Sequence, residues 1–268
     1  MGNKIGFIGC GKMGQAIMNG LLKKGKIDKN LIQVSAKTGT TLEKVKEVFG
    51  VQTTNNKEIG KWADIIVLAV KPDLHEEVIN EIKTEISSST IIVTIAAGIT
   101  LQFLEQSFGR PVKVVRAMPN TPSLVGEGMT AMCFHELVTE GERESVSNIF
   151  ESFGQVEVFT ESLMNSIPAI SGSSPAYVYM MIEALADGAV KQGITREKAY
   201  RLAAQAVLGA AKMVLETELH PGVLKDQVCT PGGATIAAVA SLEENGFRSS
   251  ILSAMESCTD RINELTEK

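Results

Sequence analysis

Ile5-Gly6-Phe7-Ile8-Gly9-Cys10-Gly11-Lys12-Met13-Gly14 decides the fold. Lys4 to Ile8 is an apolar run of strand length, and Met13 to Lys24 places Ile17, Leu21 and Leu22 on one helical face. Between them lies a GxGxxG loop. Gly9 permits the tight turn, Gly11 carries no side chain to block a pyrophosphate, and Gly14 lets the helix approach the strand. The helix N-terminus then turns free N–H groups toward the phosphates. The pattern alone is common. After a strand and opening a helix, it predicts a dinucleotide-binding domain.

The same alternation continues downstream. Leu31 to Ser35, Ile65 to Val70, Ile91 to Ala96, Val112 to Ala117 and Gly128 to Phe134 read as strands. Leu42 to Phe49, Leu74 to Ile86 and Leu101 to Phe108 read as helices. Ile65 to Val70 is apolar throughout, as a strand covered on both faces must be. Residues 1–160 are therefore expected to form an α/β domain, a Rossmann-type doubly wound parallel sheet.

From about Glu161 the strands stop. Ala176 to Lys191, Arg196 to Glu216, Gly233 to Leu242 and Phe247 to Leu265 read as helices, so residues 161–268 are expected to be all-α. Gly188 and Gly209 lie inside helical patterns, where each costs about 1 kcal/mol against alanine, which points to close packing. Tyr177 to Ile182 is apolar on nearly every side and so is expected to be buried. Its cover is either the rest of a monomeric bundle or a second subunit, and the small size of the domain favours the subunit.

The chain has 268 residues and a net charge of −5 without a basic cluster, which argues against a nucleic-acid partner. Cys10, Cys133, Cys229 and Cys258 lack CxxC spacing and read as free thiols of a reducing compartment. His75, His135 and His220 show no metal-ligand spacing, so no metal is expected. No apolar stretch approaches the ~18 residues of a membrane helix. The expectation is a soluble, cytoplasmic protein.

The end of the second strand bears on the cofactor. NAD enzymes place an acidic residue there, roughly 20 residues past the glycine loop, to bind the ribose hydroxyls. Here the segment is Val34-Ser35-Ala36-Lys37-Thr38, without a carboxylate. Ser35 and Thr38 can donate hydrogen bonds and Lys37 brings a positive charge, which favours NADP(H), with NAD(H) as the alternative. Small residues in Ile95-Ala96-Ala97-Gly98 leave room for a ligand across the sheet, and Lys71-Pro72 ends another strand in the same way.

Three further stretches stand out: Arg116-Ala117-Met118-Pro119-Asn120-Thr121-Pro122, Ser171-Gly172-Ser173-Ser174-Pro175-Ala176-Tyr177 and Thr230-Pro231-Gly232-Gly233-Ala234-Thr235. The prolines of the first stiffen a loop expected to face the nicotinamide. A Gly-Gly turn at a helix start converges N–H groups and can seat a carboxylate. On its own the last stretch reads as readily as a plain helix start. The chain resembles the pyrroline-5-carboxylate reductase family over almost its whole length. The resemblance is carried by GCGKMG at Gly9, AVKP at Ala69, MPNTP at Met118, SPAYVY at Ser174, LAAQAVLGAAKMV at Leu202 and PGGATI at Pro231. The family usually reads GSGPAY where Ser174 here replaces the second glycine; serine is an acceptable helix N-cap.

The resemblance implies reduction of the C5=N bond of 1-pyrroline-5-carboxylate to L-proline by NAD(P)H, the last step of proline synthesis. It implies that Gly232, Gly233, Ala234 and Thr235 bind the substrate, with Thr235 catalytic beside the ring nitrogen. The cofactor residues it implies are Ile8, Gly9, Gly11, Lys12, Met13, Gly14, Ser35, Lys37, Asn56, Ala69, Val70, Lys71, Ala97, Pro119 and Asn120. It further implies that the C-terminal helices form a dimerisation domain, giving a homodimer or a decamer with sites shared between subunits. A β-hydroxyacid dehydrogenase would need a lysine on the first long helix of the second domain, where none precedes Lys191. A module that only senses NADP(H) would need no carboxylate seat.

Overall fold

The computed structural model describes residues 2–266. The chain forms two compact units: residues up to Ser173 together with the chain from Cys258 on, and Ser174–Ser257. The first unit runs β1 (Ile5–Ile8), α1 (Lys12–Lys23), β2 (Ile32–Ser35), α2 (Gly39–Phe49), β3 (Gln52–Thr53), α3 (Asn56–Trp62), β4 (Ile65–Leu68), α4 (His75–Ile82), β5 (Ile91–Thr94), α5 (Leu101–Phe108), β6 (Lys113–Met118), β7 (Gly128–Phe134), α6 (Glu140–Phe150) and β8 (Gly154–Val158).

These strands form one sheet in the order β3-β2-β1-β4-β5-β6-β7-β8. The order reverses at β1, which pairs in parallel with β2 on one side and β4 on the other. That is the doubly wound pattern, with ligands expected at the carboxyl ends beside the reversal. The central strands divide their residues strictly by period two. Phe7, Ile65, Val67, Ile91 and Val93 enter one core with Ile17, Leu21 and Phe150. Ile8, Ile66, Leu68, Ile92 and Val114 enter the other with Ile79, Ile82 and Leu104. Each fully buried side chain of this size is worth about 1.5–3 kcal/mol of apolar transfer.

The sheet is not wholly parallel, contrary to the expectation from alternation: β7 runs antiparallel to β6. A parallel return needs a crossover of about a dozen residues or more. Only the short turn Thr121–Val125 and its flanks join β6 to β7, so the chain doubles back. The crossover through α6 then makes β8 parallel to β7. Strand β5 stops at Thr94, leaving Ile95 to Gly98 as the loop at its carboxyl end. The elements β3, α3, α6 and β8 were not read from the sequence.

Ser174–Ser257 lies in α7 (Ser174–Lys191), α8 (Arg196–Thr217), α9 (Pro221–Val228), α10 (Ala234–Glu244) and the start of α11 (Phe247–Thr266). Ser174 is the first residue of α7 rather than its cap, because a wide helical turn over Pro168–Gly172 leads directly into it. Helices α7 and α8 pack on each other, yet only Ala186, Ala199 and Ala203 are buried among them. Tyr177, Val178, Met181 and Ile182 are half-buried and Tyr179 and Met180 exposed, so the single chain does not bury this apolar stretch. One neighbouring helix cannot cover a segment that is apolar all round.

Ile66, fully buried on β4, fills the core face that α3, α4 and α5 cover. Ile66→Ala should destabilise the nucleotide-binding unit by about 2–5 kcal/mol. Trp62, the one tryptophan and part of the same core, reports it as a lower urea midpoint in fluorescence.

Candidate active site

The glycine loop assigns each glycine a separate task. Gly9 has φ +87°, and a Cβ there would lie 2.7 Å from the Ala69 carbonyl oxygen. Its N–H donates to the Ser35 carbonyl at 2.9 Å, which ties the loop to the end of β2. Gly14 packs 3.4 Å from the Ala69 Cβ, measured from where its own Cβ would stand. Gly11 is different: a Cβ there meets nothing within 4 Å. The protein itself does not require glycine at that position, whereas a phosphate lying against the loop would. Gly11 also caps α1 with no side chain bonded to the helix end, and the first turn contains no acidic residue. Lys12 is exposed and Met13 half-buried in that turn. A pyrophosphate therefore fits these residues, with backbone N–H groups and the helix dipole supplying the attraction.

Beside the loop lies a cavity of about 150 Å³, lined by Ile8, Gly9, Ala36, Lys37, Asn56, Val70, Leu74, Glu77, Val78 and Glu81. It gathers five of the sequence-predicted cofactor residues: Ile8, Gly9, Lys37, Asn56 and Val70. Ala69 and Lys71 flank Val70 at the carboxyl end of β4, and Ala97 follows β5. Ser35 does not line the cavity. It is 3% exposed, and its hydroxyl donates to Asn56 Oδ1 at 2.5 Å while Asn56 Nδ2 donates to Glu81 Oε2 at 2.9 Å. The two carboxylates escaped sequence reading because they come from α4, far from the end of β2 where an acidic residue is sought. Their spacing of four on one helix face after the AVKP turn was the available signal.

His75, fully buried, joins two loops of this edge. Nδ1 lies 3.0 Å from the Lys71 carbonyl oxygen and Nε2 lies 2.9 Å from Thr94 Oγ1. A carbonyl only accepts, so Nδ1 carries the proton and Nε2 accepts from the Thr94 hydroxyl. Thr94 Oγ1 in turn accepts from the Ala96 N–H at 3.2 Å. The neutral ring thus links the turn after β4 to the turn before Ala97. Burial holds its pKa below 6.5, partly offset by its hydrogen bond to Lys71. Burial likewise pushes the Cys10 thiol up to about 12, so this loop cysteine stays protonated and is a poor nucleophile.

In the loop after β6, Pro119 is half-buried and Asn120 is 8% exposed. The Asn120 amide is used inside the protein: Oδ1 accepts from Met129 N at 2.9 Å and Nδ2 donates to the Ser171 carbonyl at 2.9 Å. Arg116, 3% exposed, meets Glu161 at 3.0 Å and Asn165 at 3.2 Å, a structural pairing beneath the loop.

The helical unit carries the second feature. Gly233 N donates to the Thr230 carbonyl at 3.0 Å, closing a tight turn in which Gly232 has φ +69°. Gly233 then caps α10 without a side-chain hydrogen bond, and the first turn of α10 has no acidic residue. Ala234 is exposed and Thr235 half-buried. An uncapped helix start preceded by two glycines offers free N–H groups to a carboxylate, with the Thr235 hydroxyl one residue further on.

A doubly wound sheet with a GxGxxG loop opening its first helix, followed by an all-helical unit, is the architecture of a nicotinamide-dependent oxidoreductase. The family model described as pyrroline-5-carboxylate reductase dimerisation matches residues 161–265, and that described as NADP oxidoreductase coenzyme F420-dependent matches residues 4–98. The pyrroline-5-carboxylate reductase of Escherichia coli (strain K12) is 46% identical over all of both chains, and that of Arabidopsis thaliana is 39% identical over 98% of this chain and 96% of its own. Among solved structures, the Coxiella burnetii pyrroline-5-carboxylate reductase superposes with a TM-score of 0.93 at 37% identity, covering 99% of each chain. A Plasmodium falciparum pyrroline carboxylate reductase with NADP bound gives 0.87 at 35% identity, covering 99% of this chain and 98% of its own. The chain belongs to the pyrroline-5-carboxylate reductase family.

Gly11→Ala should fold with an unchanged melting temperature yet bind NADPH about 10- to 100-fold more weakly, since its methyl occupies ligand space alone. Gly9→Ala should instead unfold more easily, by about 1–3 kcal/mol, because its φ and the Ala69 carbonyl both oppose a side chain. Calorimetry and cofactor titration separate the two. For His75, the unfolded chain gains a proton near pH 6.5 and the folded chain only below it. Its contribution to stability is complete above 6.5 and is lost as the pH falls through the lower folded value. Melting temperature should drop as the pH falls below about 6.5, and drop less in His75→Gln.

Proposed function

We propose that the protein reduces the C5=N bond of 1-pyrroline-5-carboxylate to give L-proline, the last step of proline synthesis, in the cytoplasm. The observation that carries this reading is the uncapped start of α10 after the Thr230–Gly233 turn, within a chain that matches pyrroline-5-carboxylate reductases end to end. The nicotinamide, when bound, supplies the hydride that reaches C5. The C=N bond becomes a single bond and the nitrogen keeps a proton, which solvent can deliver before the substrate binds.

What remains for the protein is binding and orientation. The N-terminus of α1, with Gly9, Gly11, Lys12, Met13 and Gly14, holds the pyrophosphate. Lys37 and Asn56 stand at the adenosine end, and Val70, Lys71, Ala97 and Pro119 flank the path toward the nicotinamide. The backbone of Gly232, Gly233 and Ala234 seats the substrate carboxylate, and the Thr235 hydroxyl hydrogen-bonds the ring nitrogen. The cofactor is NADP(H), with NAD(H) also accepted. This division of labour agrees with the absence of a paired acid and base among the proposed site residues.

We further propose a homodimer through the helical unit. Exposure of Tyr179, Met180, Leu202, Leu208, Met213 and Leu215 on α7 and α8 supports it, since a stable chain does not leave such a surface to water.

The test is oxidation of NADPH that depends on added pyrroline-5-carboxylate, followed at the nicotinamide absorbance. Thr235→Val keeps the side-chain shape and removes the hydroxyl, so it should lower turnover by about 10- to 100-fold with NADPH affinity nearly unchanged. Full activity in Thr235→Val would leave the backbone alone as the seat of the substrate.

A further inference from the structure

We infer that Glu81, from α4, is the carboxylate that reads the adenosine ribose, and that the cofactor's 2′ substituent is chosen by Glu81 acting against Lys37. The inference rests on the reading of the cavity beside the glycine loop as the seat of the adenosine. Glu81 lines that cavity with Lys37, Asn56 and Glu77. It therefore supplies from a distant element the acidic group that the end of β2 lacks.

The hydrogen-bond chain fixes the polarity of the edge. A carboxylate only accepts, so the Asn56 atom 2.9 Å from Glu81 Oε2 must be the amide nitrogen. Asn56 Oδ1 then faces Ser35, and the single hydroxyl hydrogen of Ser35 must go to it, at 2.5 Å. Ser35, 3% exposed, consequently has no hydrogen to offer a 2′-phosphate. Glu81, Asn56 and Lys37 all line the cavity, and the internal chain leaves one oxygen of Glu81 and one N–H of Asn56 uncommitted.

A ribose 2′-hydroxyl suits this edge: it can donate to Glu81 and accept from Asn56. Among the side chains lining the cavity, a 2′-phosphate finds Asn56 and Lys37 as donors and meets the like charge of Glu81 and Glu77. Lys37 is exposed, so its attraction is screened, whereas Glu81 is half-buried and its repulsion is less so. Glu81 thus lowers the advantage that Lys37 gives to NADPH and opens the site to NADH.

The experiment measures kcat/KM for NADPH and for NADH in the wild type, Glu81→Gln and Lys37→Met, with calorimetric binding of adenosine 2′,5′-bisphosphate and 5′-AMP to the same proteins. Glutamine is neutral and can also donate, so the chain through Asn56 can reverse and release the Ser35 hydrogen. Glu81→Gln should raise the NADPH:NADH ratio about tenfold and tighten the bisphosphate relative to 5′-AMP, while Lys37→Met lowers both. An unchanged ratio in Glu81→Gln, or an equal loss of both cofactors, overturns the proposal and leaves Glu81 a scaffold for Asn56. If Lys37→Met weakens the bisphosphate while Glu81→Gln does nothing, only the role of Glu81 fails. If both variants bind both fragments as the wild type does, the cavity is not the adenosine site and the underlying reading fails with it.

Discussion

Both backbone edges of β1 are occupied by parallel neighbours, and the rest of the nucleotide-binding unit depends on that. With β2 on one side and β4 on the other, the connections leaving the strand ends must part to opposite faces of the sheet. The backbone seals the parting point: Gly9 N reaches the Ser35 carbonyl, and Ala69 N reaches the Ile8 carbonyl at 2.8 Å. Three strand ends are thereby held together under a loop that has no room for a Cβ at Gly9 and open space at Gly11. The two apolar cores supply the stability that lets this edge remain polar and open.

Beneath the edge, two side-chain chains set its chemistry. One runs from Glu81 through Asn56 to Ser35, the other from the Lys71 carbonyl through His75 and Thr94 to Ala96. In each, one group that can only accept determines every proton position that follows. Buried polar groups of this kind are costly unless fully paired, and when paired they specify a single arrangement. They support loops that would otherwise be held by backbone alone.

The helical unit follows a different logic. Its longest helices bury little more than alanines within the chain, so most of their apolar surface forms no core within it. Gly188 and Gly209 have open space where a Cβ would stand, so the close packing that the sequence suggested at them is not made within the chain.

The glycine loop, the central strands and the long helices were legible in the sequence because each is a local pattern: apolar runs of period two, helical stripes and glycines at fixed offsets. Helix α6 was missed although its capping box, Thr139 with Glu142, is written in the sequence, because its apolar stripe is thin. Strands β3 and β8 were missed because edge strands expose most of their residues and lack an apolar run. The direction of β7 depended on the reach of a connection, which pattern does not state. The tertiary structure alone decided which groups meet at the carboxyl edge. It left Ser35 buried outside the cavity lining, committed the Asn120 amide to internal bonds, and carried Glu77 and Glu81 to the cavity beside the glycine loop. Sequence reading looks for a carboxylate along the chain after β2, whereas a ligand meets whatever the packing of α4 against the sheet brings within reach.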